Sequence, residues 1–503
     1  MEALSEERAD SYSHVLKYTG IFGGVQGLNL LVGLVRNKLV ALLLGPNGMG
    51  LASLFNTTVS FVSQATNFGI SFSAVKHVSE LFDQGDAAAV AHFVKVVRLW
   101  SLLTALLGMI VCAVAGPVLS NLTFAWGDHT LHFILLAPAV GLMAITGGET
   151  AILKGARQLR SLAVIQIYTV VAALVVSIPL YYFFGQTGIV PVIVLMALTA
   201  MLLTIRHSYR LYPLQLKGEQ GLLGEGVAMV RLGVAFVMAG VLGSGAEMVI
   251  RSYLNVSSGD LDVVGLYNAG FMLCVTYAGM VFSAMETDYF PRLSAVPRED
   301  VAAQNLTVNR QIEVSLLILS PLLALLIVAL PVLVPLLFSV KFLPMVSMAQ
   351  VAVFSMYIKA VSLPVSYITL AKGDSVGYMV MECIYDVVLV LLVMIGYSHW
   401  GLFGTGVALS LSYLFDILIV GGYTYVRFHY RVSSQVVQYA AIQLSLGLAV
   451  YIVTLIDHPL IYWSLGLLIC TASMLVSINI LHQKTSLWAS LTKKLKNRFC
   501  RHA

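Results

Sequence analysis

What most restricts this chain is a series of long apolar stretches separated by very short connections. A helix needs about 20 mostly apolar residues to cross the hydrocarbon core of a bilayer. Fourteen stretches qualify: 16–44, 49–74, 96–116, 130–152, 161–183, 187–205, 226–254, 263–290, 311–338, 345–371, 376–397, 402–425, 436–455 and 460–481. The connections are often four to ten residues, too short for a globular domain in water. Lipid offers the backbone no hydrogen bonds, so a spanning segment is a helix or part of a closed barrel. Barrel strands alternate apolar and polar residues over about ten positions, whereas these runs are apolar throughout. The expected fold is all-α and integral to the membrane, with about 14 transmembrane helices. Composition agrees: the chain is 59% hydrophobic and 11% charged, against about 25% charged residues in soluble domains.

Lys and Arg collect on the cytoplasmic side of membrane proteins. With the N-terminus inside, twenty Lys and Arg fall in expected inner loops and the tail, and Lys341 alone falls in an outer loop. Both termini are therefore expected in the cytoplasm, and the bias stays in register only with an even number of helices. The opening MEALSEERADSYSH is polar and acidic, unlike a secretory signal, so the first stretch is the expected insertion signal. The basic tail KTSLWASLTKKLKNRFCRH reads as a topology anchor or as a site for anionic lipids. Five cysteines lie far apart with no CxxC pair, which fits small buried side chains and neither zinc nor redox chemistry. The formal charge of +5 resides in these loops and the tail, so no nucleic-acid partner is expected.

An internal repeat organises the chain. VRNKLVALLLGPNGMGL at 35–51 aligns with IRSYLNVSSGDLDVVGL at 250–266 at an offset of 215, setting Arg36 on Arg251 and Gly50 on Gly265. LKG at 153–155 aligns with AKG at 371–373, and TGIV at 187–190 with TGVA at 405–408, both at an offset of 218. Three ordered anchors with nearly constant spacing mark two copies of a six-helix unit. An even number of helices per copy keeps both in one orientation, so the repeat is parallel and related by a pseudo-two-fold axis along the membrane normal. The expected parts are a cytoplasmic N-terminus (1–15), an N-lobe of helices 1–6 (16–206), a linker (207–225), a C-lobe of helices 7–12 (226–425), two appended C-terminal helices (436–481) and the basic tail (482–503). In transporters built this way the substrate path lies between two lobes that rock.

Charges at bilayer depth cost at least about 2.5–3.5 kcal/mol each and normally face protein or a wet cavity. Lys359 lies near the middle of the tenth stretch, and Arg36 and Arg251 occupy equivalent repeat positions. Cations there suit an anionic substrate, and the planar arginine fork suits phosphate. Lys38 and Lys154 complete the expected substrate-binding set. Glu247 stands four residues before Arg251, a spacing that equally fits an intrahelical ion pair. Glu382 and Asp386 repel each other at the same spacing, and two close carboxylates raise an apparent pKa. With Asp416 and Glu247 they are the expected ion-coupling residues. Each could instead answer a basic loop. Glu149 is a further charge at depth, and Glu286 and Asp288 lie near an inner end where charge is cheap. Pro364, five residues after Lys359, is a candidate helix break.

The chain has no GxxxxGK[ST] phosphate loop, HExxH or GxSxG. A carrier is expected rather than an enzyme, with no cofactor or metal and with any uphill work drawn from a proton or sodium gradient. A membrane-embedded polysaccharide polymerase or transferase is the reading from a different class. Its candidates in the short outer loops would be Asp128, His129, Asp260, Asp262, Asp457 and His458.

The run NKLVALLLGPNGMGLASLFNTTVSFVSQATNFGISFSAVKHVSE at 37–80 resembles the start of bacterial polysaccharide repeat-unit flippases, in the lipid III and O-antigen translocase branch. AILKGAR at 151–157, VGLYNAG at 264–270, YFPRLS at 289–294 and ITLAKGD at 368–374 echo the same family in order. The resemblance implies the multidrug/oligosaccharidyl-lipid/polysaccharide exporter fold. It also implies an undecaprenyl-diphosphate-linked oligosaccharide as substrate, moved from the cytoplasmic to the periplasmic leaflet of the bacterial inner membrane. Membrane lipids, a polysaccharide polymerase and a chain-length regulator are the partners it implies. Many members of that branch stop at twelve helices. Lipid II flippases have fourteen but carry a cation in their second helix, where 49–74 here has none. A multidrug/cation antiporter of the same fold, which would want acidic cavity residues, is the nearest alternative.

Overall fold

The computed structural model describes residues 2–124, 126–213 and 221–484, with side chains from residue 27 onward except at 228, 232, 234–236, 239, 283–288 and 484. Sixteen α-helices follow in order: α1 (Glu2–Thr66), α2 (Ile70–Asp83), α3 (Ala87–Val114), α4 (Gly116–Thr123), α5 (Thr130–Gly155), α6 (Leu159–Phe184), α7 (Ile189–Leu211), α8 (Leu222–Ser258), α9 (Leu261–Phe271), α10 (Ala278–Ser294), α11 (Val301–Leu337), α12 (Val346–Ala352), α13 (Phe354–Ala371), α14 (Ser375–Phe428), α15 (Ser434–Thr454) and α16 (Pro459–Lys484). The described residues contain no strand.

Among the described residues, ten helical runs are long and apolar enough to cross a membrane. Three of them are double. The first bends at Gly45 (φ 65°), just before Pro46. The run from Leu159 to Leu211 turns at Gly185 (φ 56°). The third, α14, bends at Trp400 and Gly401 (φ 56°). A positive φ is open to glycine at little cost, so these glycines convert long apolar runs into hairpins. Helix α8, with 37 residues, carries the seventh apolar stretch, 226–254.

The helices cluster into two compact units, Met1–Gly265 with Leu336–Lys341, and Leu266–Pro335 with Phe342–Ala503. Contacts group α8 with the first unit, although by sequence it opens the second copy of the repeat.

In unit 1, α5 is the central helix and packs on α2, α3 and α7. Ile70, Val78, Val94, Val97 and Ile152 fill that core. The second apolar stretch is interrupted: α1 stops at Thr66, Phe68 and Gly69 take positive φ (48° and 68°), and α2 starts at Ile70. A Cβ on Gly50 would collide with the Leu261 carbonyl, and one on Gly265 with the Pro46 carbonyl. Pro46 and Leu261 are themselves equivalent at the offset of 215. Exchanging the two copies therefore maps each contact onto the other, as a two-fold relation requires of a self-complementary contact.

In unit 2, three prolines interrupt α11: Pro321, Pro331 and Pro335. Pro331 has no N–H to give the carbonyl of Ile327 one turn earlier, and Gln350 Nε2 donates to that carbonyl at 3.3 Å. The appended α15 and α16 are joined by Gln443, which donates to Ser477 (2.9 Å) and accepts from Ser473 (2.6 Å). Such interhelical hydrogen bonds hold helices together where burial of apolar surface gives no driving force.

Candidate functional site

The two equivalent arginines are held in the same way. Arg251 is 5% exposed. Its Nε donates to Ser53 Oγ of α1 at 2.8 Å, and its Nη1 pairs with Glu247 at 3.1 Å. Arg36 donates from Nε to Ser177 Oγ of α6 at 3.3 Å, with Tyr181 within hydrogen-bonding reach. Each arginine thus bridges two helices through a serine. Arg251 carries the intrahelical pair that its spacing from Glu247 permits. Lys38 lies half-buried two residues after Arg36.

Unit 2 brings together residues assigned separately to substrate and to ion coupling. The Lys359 ammonium stands 5.7 Å from the centroids of both the Phe282 and Tyr413 rings, the range in which aromatic faces attract a cation. Glu382 and Asp416, from the two arms of α14, are its electrostatic neighbours. Glu382 also meets Tyr378, and Asp416 meets Ser362. Two carboxylates share this cluster with one ammonium, so the charged groups do not match one to one. A proton or a metal cation can supply that match, and the surrounding low dielectric strengthens the demand for it. Asp386 follows Glu382 by one turn and is half-buried.

Lys154 stands at the exposed end of α5, on a cavity of about 350 Å³ shared with Ser71 of α2, Thr146 and Thr150 of α5, and Ala197 and Ala200 of α7. Among the described residues no acidic side chain pairs with it.

One buried charge escaped the reading of the sequence. Arg98 of α3 answers Glu149: Nε to Oε1 is 2.9 Å, Nη2 to Oε2 is 3.4 Å, and the guanidinium lies 4.0 Å over the Tyr209 ring. Glu149 is 3% exposed. A usable signal was present, because Arg98 lies just inside the start of stretch 96–116 and Glu149 just inside the end of 130–152. Antiparallel neighbours put those two at one depth. The side chains of Glu286 and Asp288 lie outside the described residues, as do Lys217 and the tail from 485. Among the described residues no group of three or more His, Cys, Asp and Glu is placed to hold a metal ion.

Residues 39–347, more than half of the chain, match the family described as "Polysaccharide biosynthesis protein". The chain belongs to that family. No curated protein matches the chain by sequence. In fold it is similar to a solved lipid II flippase, MurJ, in an inward closed conformation: 13% identity, 92% of this chain and 99% of that chain covered, TM-score 0.72. It is also similar to an inward-facing multidrug resistance MATE family transporter of the MOP superfamily (14% identity, 80% and 94% covered, TM-score 0.65). A third similar structure is a MOP superfamily transporter from Pyrococcus furiosus, titled for the reverse polarity of its binding pocket (12% identity, 82% and 96% covered, TM-score 0.58). The protein is a multi-pass membrane protein with the fold of these transporters.

Proposed function

We propose that this protein is a flippase that carries an undecaprenyl-diphosphate-linked oligosaccharide repeat unit, such as an O-antigen unit, from the cytoplasmic to the periplasmic leaflet of the bacterial inner membrane. Both termini are cytoplasmic in this reading, and alternating access drives transfer without ATP hydrolysis. The observation that carries it is the family match over 39–347 in a chain with a transporter fold. Polysaccharide biosynthesis needs its lipid-linked units moved across a membrane, a task that a transporter fold suits. Arg36, Lys38, Lys154, Arg251 and Lys359 meet the diphosphate or line its path. Glu247, Glu382, Asp386 and Asp416 are the candidates for coupling to a proton or sodium gradient, and the unmatched carboxylate beside Lys359 favours Glu382 and Asp416 among them.

The test is glycan delivery in a strain lacking its native flippase. Lys359→Ala and Arg36→Ala should each lower delivery at least roughly tenfold at normal protein level, the scale of one lost charge-assisted hydrogen bond. Normal delivery by either variant removes that residue from the mechanism. The surplus carboxylate in unit 2 also favours a second reading, a multidrug/cation antiporter. Restored drug resistance without glycan delivery in a sensitive strain selects that one.

A further inference from the structure

We propose that the cavity in unit 1 between α2, α5 and α7 is the seat of the substrate's diphosphate headgroup, an inference that rests on the flippase reading and locates one part of the substrate. The cavity exists because small residues line it. Gly147, Ala151, Ala197 and Ala200 leave the space open, and a Cβ on Gly147 would stand 2.5 Å from Ser71 Oγ. Thr146, Gly147, Thr150, Ala151 and Lys154 recur every three or four residues, so they form one face of α5.

The chemistry of that face suits an oxyanion. Ser71 Oγ accepts a hydrogen bond from Asn67 Nδ2 at 2.8 Å, so its own proton is directed away from Asn67. Thr146 donates to the Leu142 carbonyl at 2.7 Å and contributes little. Thr150 has no intramolecular hydrogen bond among the described residues, and Lys154 no ion pair. Two hydroxyl protons and an ammonium thus line one cavity. The acidic groups nearest in sequence are engaged elsewhere: Glu149 by Arg98, Glu80 by Lys76, and Asp83 by Arg157. Charge-assisted hydrogen bonds to phosphate oxygens are stronger than neutral ones. The volume of about 350 Å³ accommodates a diphosphate but not an oligosaccharide with it.

The second copy of the repeat lacks this chemistry at equivalent positions. At the offset of 218, Thr146, Gly147, Thr150 and Lys154 become Pro364, Val365, Ile368 and Lys372. Lys372 Nζ is already held by the carbonyls of Pro297 and Arg298, both at 3.2 Å. The groove beside α13 and α14 is mostly apolar, with Ile358, Val361, Val365 and Leu418 on its wall and Arg431 as its one charged residue. The hydroxyl-bearing face of one copy is thus replaced by Pro364, Val365 and Ile368 in the other.

The experiment uses the full chain in phosphatidylcholine nanodiscs, with farnesyl diphosphate as probe and farnesol, inorganic diphosphate and phosphatidylglycerol as comparison ligands. Farnesyl diphosphate should bind the parent protein more tightly than any of the three. Lys154→Gln should weaken it about tenfold and Thr150→Val about threefold, as expected for one charged and one neutral hydrogen bond. Lys372→Gln should leave it unchanged. Unchanged farnesyl diphosphate binding by both Lys154→Gln and Thr150→Val overturns the seat and leaves the flippase reading intact. Equal binding of inorganic diphosphate or phosphatidylglycerol at this seat overturns the assignment to the substrate's headgroup, pointing to a free-phosphate or general-lipid site. No binding of farnesyl diphosphate by the parent protein counts against the flippase reading itself.

Discussion

The two copies of the repeat keep their backbone devices and part company in their charges. Gly50 and Gly265 make mirror-image contacts with Leu261 and Pro46, and Arg36 and Arg251 each bridge helices through a serine. Lys154 and Lys372 are also equivalent, yet one faces a hydroxyl-lined cavity and the other is tied to two carbonyls. Unit 1 matches Glu149 with Arg98 one to one, whereas unit 2 sets Lys359 against both Glu382 and Asp416. Close packing permits little drift at a glycine seam, because any side chain there meets backbone. Side chains that line open space are free to diverge, and the difference in charge between the copies lies where the structure tolerates it.

The contrast in charge matching is the easiest to break. Glu149→Ala strands a buried guanidinium and should lower stability by about 3–5 kcal/mol, visible as a fall in melting temperature and in membrane-inserted protein. Asp416→Asn leaves Lys359 with one carboxylate and should stay within about 1 kcal/mol of the parent, while abolishing any dependence of transport on a proton or sodium gradient. Equal destabilisation by both would erase the distinction between a structural pair and a functional surplus.

The shared glycine seam predicts the opposite, equality between copies. Gly50→Ala and Gly265→Ala should each cost about 1–3 kcal/mol through overpacking, with matching losses in thermal unfolding. Gly421→Ala, whose added carbon meets nothing within 4 Å, should be neutral or stabilising by up to about 1 kcal/mol. Unequal costs at Gly50 and Gly265 would show that the two-fold relation is not energetic.

The smallest effect lies in the loop before α5, where unit 1 stacks His129 on Phe124 at 4.0 Å between ring centroids. Burial foremost, and then the neighbouring His132, hold His129 below its ordinary value. The packed loop therefore favours the neutral ring, and stability falls as pH drops through the ordinary histidine value toward the lower folded one. Melting temperature measured from about pH 7.5 to roughly pH 5.5 should decline slightly in the parent and less in His129→Phe.

Most of the fold was legible because apolar length is read directly from sequence, and each of the fourteen stretches lies largely on helix. The interruption after Thr66 was not, since a positive φ at Phe68 is set by tertiary packing and has no sequence signal there. Nor was the break between α12 and α13 inside 345–371. At the site, the Glu247–Arg251 pair was readable from its spacing within one helix. The approach of Lys359 to Glu382 and Asp416 was not, because it joins helices whose rotation about their own axes periodicity leaves open when nearly every face is apolar.

The hydrogen bond from Gln350 to the Ile327 carbonyl has a consequence in time. The two residues are 23 apart along the chain, and at a synthesis rate of about 5–20 residues per second the carbonyl waits roughly one to five seconds for its donor. During that interval α11 holds a bare acceptor at the proline, so its settled insertion depends on the segment made after it. At this proline the later segment completes the earlier one.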